Sequence, residues 1–424
     1  MFDVVLFGAT GVTGREVARY LGRRAPLLGL SWAAAGRDRR RLEAALTAVG
    51  AAPAEILHAD TADADSIDAM VASARVVANL VGPYAQHGEV VYEACIRHGA
   101  SQLDLTGELD WLAAMMARHH DRAMEAGARI VPVAGFEALP FDLAALLVAR
   151  AAHQRTGEAV AAVDVAVTTR STARVRRVAD AVSGGTWASA LGVIRRGGSV
   201  GPYGLDPPSA AGPRPAGLGL GLRRHPGTGA LLAPMVPSPV LNPPVAHRTA
   251  ALLRAGGDPT FAPGYRYREG LVVGGPLGPA LGVSLVAGQV SAAALARSPA
   301  PVRRAGAAVL ARLGPAPGDG PREQDLDRWS YRLDVRATTT GGATADGVVE
   351  AAGHPGYRST AFLVAEAALI LADPSAVVPP ACGFLTPATA LGTDELARFT
   401  HAGATFAVLD GGAPDGWPAG TGPG

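Results

Sequence analysis

Residues 4–26, VVLFGATGVTGREVARYLGRRAP, run from an apolar β-branched segment through a glycine-rich turn into a stretch with helical spacing. Gly8, Gly11 and Gly14 stand as G-x-x-G-x-x-G directly after the predicted strand and at the start of the predicted helix. In that context the glycines let the backbone close on a pyrophosphate, whose charge rests on the helix N-terminus. Gly8, Ala9, Thr10, Gly11, Val12, Thr13 and Gly14 are therefore the candidate dinucleotide cradle. A tight strand-to-helix packing turn is the plain alternative.

Outward from this loop the pattern repeats. Short apolar runs at DVVLFG, LSWAAAG (30–36), AEILHAD (54–60), RVVANLVG (75–82), SQLDLT (101–106) and RIVPVAG (129–135) alternate with helical stretches carrying apolar stripes at three-to-four spacing. Such alternation predicts an α/β fold built on a doubly wound parallel sheet. Its ligand crevice lies beyond the carboxyl ends of the strands, so the residues there are the ones to read.

The second strand ends in Gly36-Arg37, where an NAD-dependent protein carries an acid for the ribose hydroxyls; an arginine there suits a 2′-phosphate, and NADP(H) is expected over NAD(H). Asp38 is read as the N-cap of the next helix rather than a displaced ribose ligand. Asp60, closing the third strand, meets the adenine or caps the helix that follows. The fourth strand runs into NLVGPYAQHGE (79–89). Asn79, Val81, Gly82 and Pro83 are expected around the nicotinamide half, with Tyr84 and, as its alternate, His87 as the candidate proton donors. Asp104 and Glu108 in DLTGE are expected to hold the loop after strand four. His119 and His120, without a carboxylate at ligand spacing, read as surface residues.

Composition removes several chemistries. All 38 basic residues are arginine, which excludes a Schiff-base lysine, a Walker A GK[ST] loop and a Tyr-x-x-x-Lys dehydrogenase pair. A formal net charge of +1, with charges scattered, gives no footprint for nucleic acid. Cys95 and Cys382 have neither disulfide-framework nor zinc spacing, and no metal set is readable. Before Gly8 only VVLF is apolar, shorter than a signal-peptide core, so a reducing, cytoplasmic location is expected.

Further along, Pro140 in GFEALPFDLAALLVARAAH suits the first turn of a helix leaving the sheet domain. The expected divisions are a dinucleotide domain at 1–135, a second α+β domain at 136–355, a C-terminal segment at 356–410 packing back on the first, and a flexible tail at 411–424. AAVDVAVTTR (161–170) and DRWSYRLDVRATT (327–339) read as strands of the second sheet. An irregular insertion is expected at 201–247, since residues 201–244 hold eleven of the 33 prolines. Residues 271–296 carry no charge; they are long enough to span a bilayer, but their glycines and prolines favour a buried or interfacial segment. The arginine-rich stretch that follows suits anionic headgroups, which motivates peripheral contact with the inner face of the plasma membrane.

Taken together, GATGVTG, NLVGPYAQHGE, LDLTGE, GFEALPFDLA, SGGTWASAL and GFLTPATALG resemble the saccharopine dehydrogenase-like oxidoreductases, in particular their trans-acting enoyl reductase branch. The resemblance implies a Rossmann-type first domain with an inserted second domain. It also implies NADPH-dependent reduction of enoyl groups on polyketide- or fatty-acid-derived lipid intermediates, bound to an acyl carrier and supplied by a polyketide synthase. A homodimer is expected. Two alternatives stay open: an amino-acid dehydrogenase, disfavoured because those relatives use a lysine that this chain lacks, and a non-catalytic NADP-binding protein associated with lipid.

Overall fold

In the computed structural model the described residues are 1–173, 184–197, 200–207, 210, 214, 221–235, 240–315 and 320–409. The tail from 411 onward lies outside them. The first unit alternates β1 (Phe2–Phe7), α1 (Val12–Arg24), β2 (Trp32–Gly36), α2 (Arg39–Ala48), β3 (Glu55–His58), α3 (Ala64–Ala72), β4 (Ala74–Asn79), α4 (Tyr84–His98), β5 (Ser101–Asp104), α5 (Leu109–Glu125) and β6 (Arg129–Val131). Val4, Val5 and Leu6 are wholly buried, as in a central strand covered on both faces. All strand pairs of this sheet are parallel.

Helix α6 (Leu139–Thr156), with Pro140 in its first turn, leaves the sheet and stops at Gly157, whose φ of +74° is costly for other residues. The chain continues through β7 (Val160–Ser171), α7 (Gly184–Arg196), β8 (Arg223–Arg224), β9 (Leu231–Ala233), α8 (Asn242–Ala255), β10 (Phe261–Val272), α9 (Gly278–Arg297), α10 (Ala300–Leu313), β11 (Trp329–Thr339) and β12 (Thr344–Ala352). It returns as α11 (Thr360–Ala372), β13 (Gly383–Phe384), α12 (Pro387–Leu391) and β14 (Ala404–Leu409).

Two seven-stranded sheets result, ordered β13-β6-β5-β4-β1-β2-β3 and β14-β12-β11-β7-β10-β9-β8. In the first, the order reverses between β4 and β1, which opens the crevice there. The second is mixed: β7 pairs parallel to β10 and antiparallel to β11. Val163, Val165 and Val167 of β7 share one continuous core with Leu139, Leu143 and Leu146 of α6, α11 and Val4 and Leu6 of the first sheet. Helices α6 and α11 thus lie between the sheets. Every residue of α11 except Phe362 is buried.

Four features differ from the reading of the sequence. A seventh strand, β13, joins the first sheet beside β6 from more than 250 residues away. Of the C-terminal segment, α11 and β13 lie with the first sheet, but β14 pairs with β12 in the second. The stretch between the two expected strands of the second sheet holds the 12-residue strand β10, and α8 begins inside the expected insertion, at Asn242. Finally, of the two places expected for 271–296, buried or interfacial, the buried one is not taken. Among the residues of α9 only Gly278, Gly282 and Ala296 are buried, while Leu281, Val283 and Val290 are 53%, 58% and 51% exposed. Apolar side chains all round this helix leave no stripe for one neighbour to cover.

Candidate active site

Three constraints act on the glycine loop, and they are not alike. Gly8 has φ +105°, and a Cβ there would lie 3.0 Å from Val81 Cγ2. At Gly14 a Cβ would stand 2.2 Å from the Gly8 carbonyl oxygen and 2.9 Å from Ala9 Cα, so α1 packs directly on the loop. At exposed Gly11 a Cβ would meet only the Gly8 oxygen, at 3.7 Å. Packing does not demand glycine there, which leaves close approach by a ligand as its physical reason. Gly11 N–H donates to Gly8 O and Arg15 N–H to Gly11 O, so the amides of Val12, Thr13 and Gly14 have no acceptor within the helix and are aimed at the crevice.

Beside them Asn79 is wholly buried at the end of β4. Its Oδ1 accepts from Val81 N–H at 3.1 Å, and its Nδ2 has no partner. An orphaned buried donor next to free helix amides fits the phosphate and ribose oxygens of a dinucleotide. Arg37, at the end of β2, is exposed and forms no ion pair with any described residue, whereas Arg39 is held by Glu43 at 2.9 Å and by Ile56 O at 3.1 Å. A free guanidinium at that edge suits a 2′-phosphate. Asp38 is the N-cap expected of it, accepting from Arg41 N–H. Asp60 accepts from Ala62 N–H at 3.0 Å, and the cap of the following helix is Asp63 instead.

The loop after β4 corrects the place of Tyr84. Its hydroxyl is buried, donates to Asn79 O at 3.1 Å and accepts from Leu105 N–H at 3.1 Å. Burial, then the charges of Asp104 and Glu108, push the phenol well above its ordinary range. Both hydrogen-bonding capacities go to the backbone, so Tyr84 clamps the ends of β4 and β5 and presents no proton to the crevice. Glu108 accepts from Tyr84 N–H at 2.8 Å, the holding role anticipated for it, whereas Asp104 accepts at 2.7 Å from the O–H of Tyr92, within α4 and not in the loop after β4. His87 is half-buried with Nδ1 3.0 Å from Thr61 Oγ1. Gly82 and Pro83 are exposed beside it.

His119 and His120 are also corrected. His119 is 1% exposed, its Nε2 3.1 Å from Glu89 Oε1, and His120 Nδ1 accepts from Phe384 N–H, tying α5 to β13. The partners come from elements distant in sequence, which spacing along one helix does not reveal.

Missed altogether is a polar cluster where the sheets meet. Glu137 lies between β6 and α6, and Glu269 on β10; Asn242, at the start of α8, donates from Nδ2 to Glu269 Oε2 at 2.9 Å, and Tyr267 O–H donates to the same oxygen at 2.8 Å. An acid inside the apolar run GFEALP was the one available signal for Glu137. Glu269 sits in a strand whose pattern was not read.

Residues 4–131 match the saccharopine dehydrogenase NADP binding domain. A Mycobacterium tuberculosis relative is 33% identical over 423 residues, covering 96% of this chain and 97% of its own. The trans-acting enoyl reductases of Mycobacterium bovis and Mycobacterium ulcerans are 31% and 30% identical, each covering 95% of this chain and 96% of theirs. Among solved structures, the Saccharomyces cerevisiae saccharopine dehydrogenase (L-Glu forming) superposes with a TM-score of 0.52 at 14% identity, over 97% of this chain and all of that one, which establishes a shared fold. With its crevice, glycine cradle and unpaired Arg37, the chain is an NADP(H)-binding oxidoreductase that belongs to the saccharopine dehydrogenase-like family, in its trans-acting enoyl reductase branch.

Proposed function

We propose that the protein reduces the α,β-double bond of an enoyl thioester carried by a polyketide- or fatty-acid-type acyl carrier, acting in trans for a synthase that lacks this step. The observation that carries the reading is the extent of the likeness to the trans-acting enoyl reductases, which runs through both sheets and not the nucleotide domain alone. Bound NADPH supplies a hydride. The chain itself holds the pyrophosphate on the amides of the α1 N-terminus, orients the nicotinamide ribose with Asn79, and steers the 2′-phosphate with Arg37. With no lysine anywhere in the chain, the lysine-dependent amino-acid dehydrogenase mechanism has no residue to run on.

The test is NADPH oxidation by the purified protein with crotonyl-pantetheine and with a carrier-bound enoyl chain, against NADP reduction with saccharopine. Oxidation with the enoyl thioesters alone is expected. Turnover of saccharopine, or of neither substrate, overturns the reading.

We also propose peripheral membrane contact through α9 and α10. Support comes from Leu277, Leu281, Val302 and Leu313, which are 79%, 53%, 53% and 70% exposed, beside Arg297, Arg303, Arg304 and Arg312 with no acid among the described residues 270–315. Sedimentation with anionic vesicles is expected, and its loss in a Leu281→Glu, Val290→Glu variant. A dimer that buries the same face and never sediments with lipid overturns it.

A further inference from the structure

Two carboxyl groups that the nucleotide cradle does not use, Glu137 and Glu269, lie within electrostatic reach of each other. Glu137 follows β6 at the carboxyl edge of the first sheet, on the β4-β5-β6 side of the crevice. Arg37, after β2, marks the opposite side as the adenosine half, so Glu137 stands on the nicotinamide side. The chain is strained there. Val133 has φ +56°, a conformation costly for a β-branched residue, and it is held by Ala138 N–H donating to Val133 O at 2.8 Å and Ala134 N–H to Asp104 O at 2.8 Å. Strain kept at a ligand crevice points to a side chain whose aim matters.

Opposite, Glu269 shares a face of β10 with Tyr265 and Tyr267, both part of the core between the sheets. Its Oε2 takes the hydrogen bonds of Asn242 and Tyr267, while its Oε1 is buried without a partner. Asn242 is 1% exposed and its Oδ1 is likewise unpartnered. Glu137 is half-buried and bonds to no described residue. Glu269 Oε1 and Asn242 Oδ1, on two residues bonded to each other, are thus buried acceptors without donors, an arrangement that asks for a proton or for a ligand that donates. Burial, then the charge of Glu269, push Glu137 up to about 8, and burial pushes Glu269 up to about 7. A carboxyl group raised this far keeps its proton near neutrality. The charged and titratable groups facing them are Tyr267 of β10 and Arg223 of β8, with Asp142 of α6 behind Tyr267.

We propose that Glu137 and Glu269 form the acyl pole of the active site, a carboxylic acid–carboxylate pair whose proton first hydrogen-bonds the thioester carbonyl of the enoyl substrate and then passes to its α-carbon. Glu137 touches the substrate; Glu269, held by Asn242 and Tyr267, is the positioning residue. The assignment rests on the enoyl reductase reading. In the reaction the β-carbon gains a C–H bond by taking a hydride, with both its electrons, from the reduced nicotinamide nucleotide. The π pair of the double bond moves to the α-carbon and carbonyl as an enolate. That pair then takes the Glu137 proton, forming the α C–H bond and leaving Glu137 as carboxylate, which regains a proton from solvent. The thioester gains two electrons and the nucleotide loses two. The same geometry gives the clamped Tyr84 no part in this transfer.

The experiment uses the full chain and crotonyl-pantetheine between pH 6 and 10. Wild-type kcat is expected to fall as pH rises past the upper titration of the pair. Glu137→Gln is expected to lose ~10²- to 10⁴-fold in kcat and the pH limb with it, while the Kd for NADPH and for butyryl-pantetheine, measured by calorimetry, change less than about threefold because an amide still donates to the carbonyl. Glu269→Gln, by removing the neighbouring charge, is expected to move the limb to lower pH. Independently of turnover, the infrared band of a protonated carboxyl lost between pH 6 and 9 is expected in wild type and reduced in each variant. A Glu137→Gln enzyme with wild-type kcat and limb overturns the proposal and leaves the enoyl reductase reading standing. A wild type inert toward every enoyl thioester overturns that reading and this one together, and saturable binding of lysine or saccharopine abolished by Glu137→Gln assigns the cluster to an ammonium ligand instead.

Discussion

Gly14→Ala opposes two effects of known sign, and the structure decides which wins. Alanine in a helix is favoured over glycine by up to ~1 kcal/mol, and less in a first turn. Against this, the new Cβ would lie 2.2 Å from the Gly8 oxygen, where ordinary contact begins at 3.4 Å. Both partners are backbone, so no side chain can swing away; α1 or the loop must shift by about 1 Å, and such overpacking costs ~1–3 kcal/mol. A net loss of about 1–2 kcal/mol is expected. Because the atoms displaced are the loop carbonyl and the helix amides, NADPH affinity should fall by about 5- to 30-fold on the scale of 1.4 kcal/mol per decade. Gly11→Ala is the control. Its Cβ has open space apart from the Gly8 oxygen at 3.7 Å, so the free protein should keep its stability within about 0.5 kcal/mol while NADPH binding weakens through loss of close approach. The assay pairs fluorescence titration of NADPH with the denaturation midpoint of the nucleotide-free protein. Wild-type affinity and midpoint in Gly14→Ala would refute the packing argument, and a Gly11→Ala protein that binds NADPH normally would remove the pyrophosphate from that loop position.

Other perturbations follow from the same geometry. Arg37→Asp should weaken NADPH by repulsion of the 2′-phosphate and spare NADH, measured as the ratio of the two dissociation constants; equal losses would show that Arg37 does not meet that phosphate. Tyr84→Phe should lower stability by ~1–3 kcal/mol, since Leu105 N–H loses its acceptor. Its turnover per folded molecule should stay within about threefold of wild type, and a 100-fold loss would return Tyr84 to the chemistry. Asp142 accepts from Thr249 O–H at 2.6 Å and Ala388 N–H at 2.8 Å, yet burial pushes it up to about 6 from 3.8. A raised acid binds more protons folded than unfolded between those values, so its stabilising contribution is present at low pH and is lost as pH rises toward 6. Relative to Asp142→Asn, the wild type should therefore lose on the order of 2–3 kcal/mol between pH 4 and 7, and a difference flat in pH would contradict this.

What could be read from the chain alone was whatever repeats locally. Strand, glycine turn and helix recur from Val4 to about residue 135, and each unit carries its own periodicity, so the parallel sheet and its nucleotide crevice were legible without knowing what packs on what. Arg37 and the absent lysine belong to the same class, because identity and position in a motif sufficed. Tertiary structure decided the rest through contacts between distant segments. Only the fold brings Leu105 N–H to the Tyr84 hydroxyl, turning an apparent acid into a clamp, and only it brings the β13 backbone to His120. A two-residue strand such as Gly383–Phe384 has too few residues for any period to show. The acidic pair is the sharpest case. Glu137 and Glu269 are separated by 132 positions and lie in segments with no shared motif, and the unpaired Oε1 of Glu269 follows from its burial in the tertiary structure, a property that its local stretch does not contain.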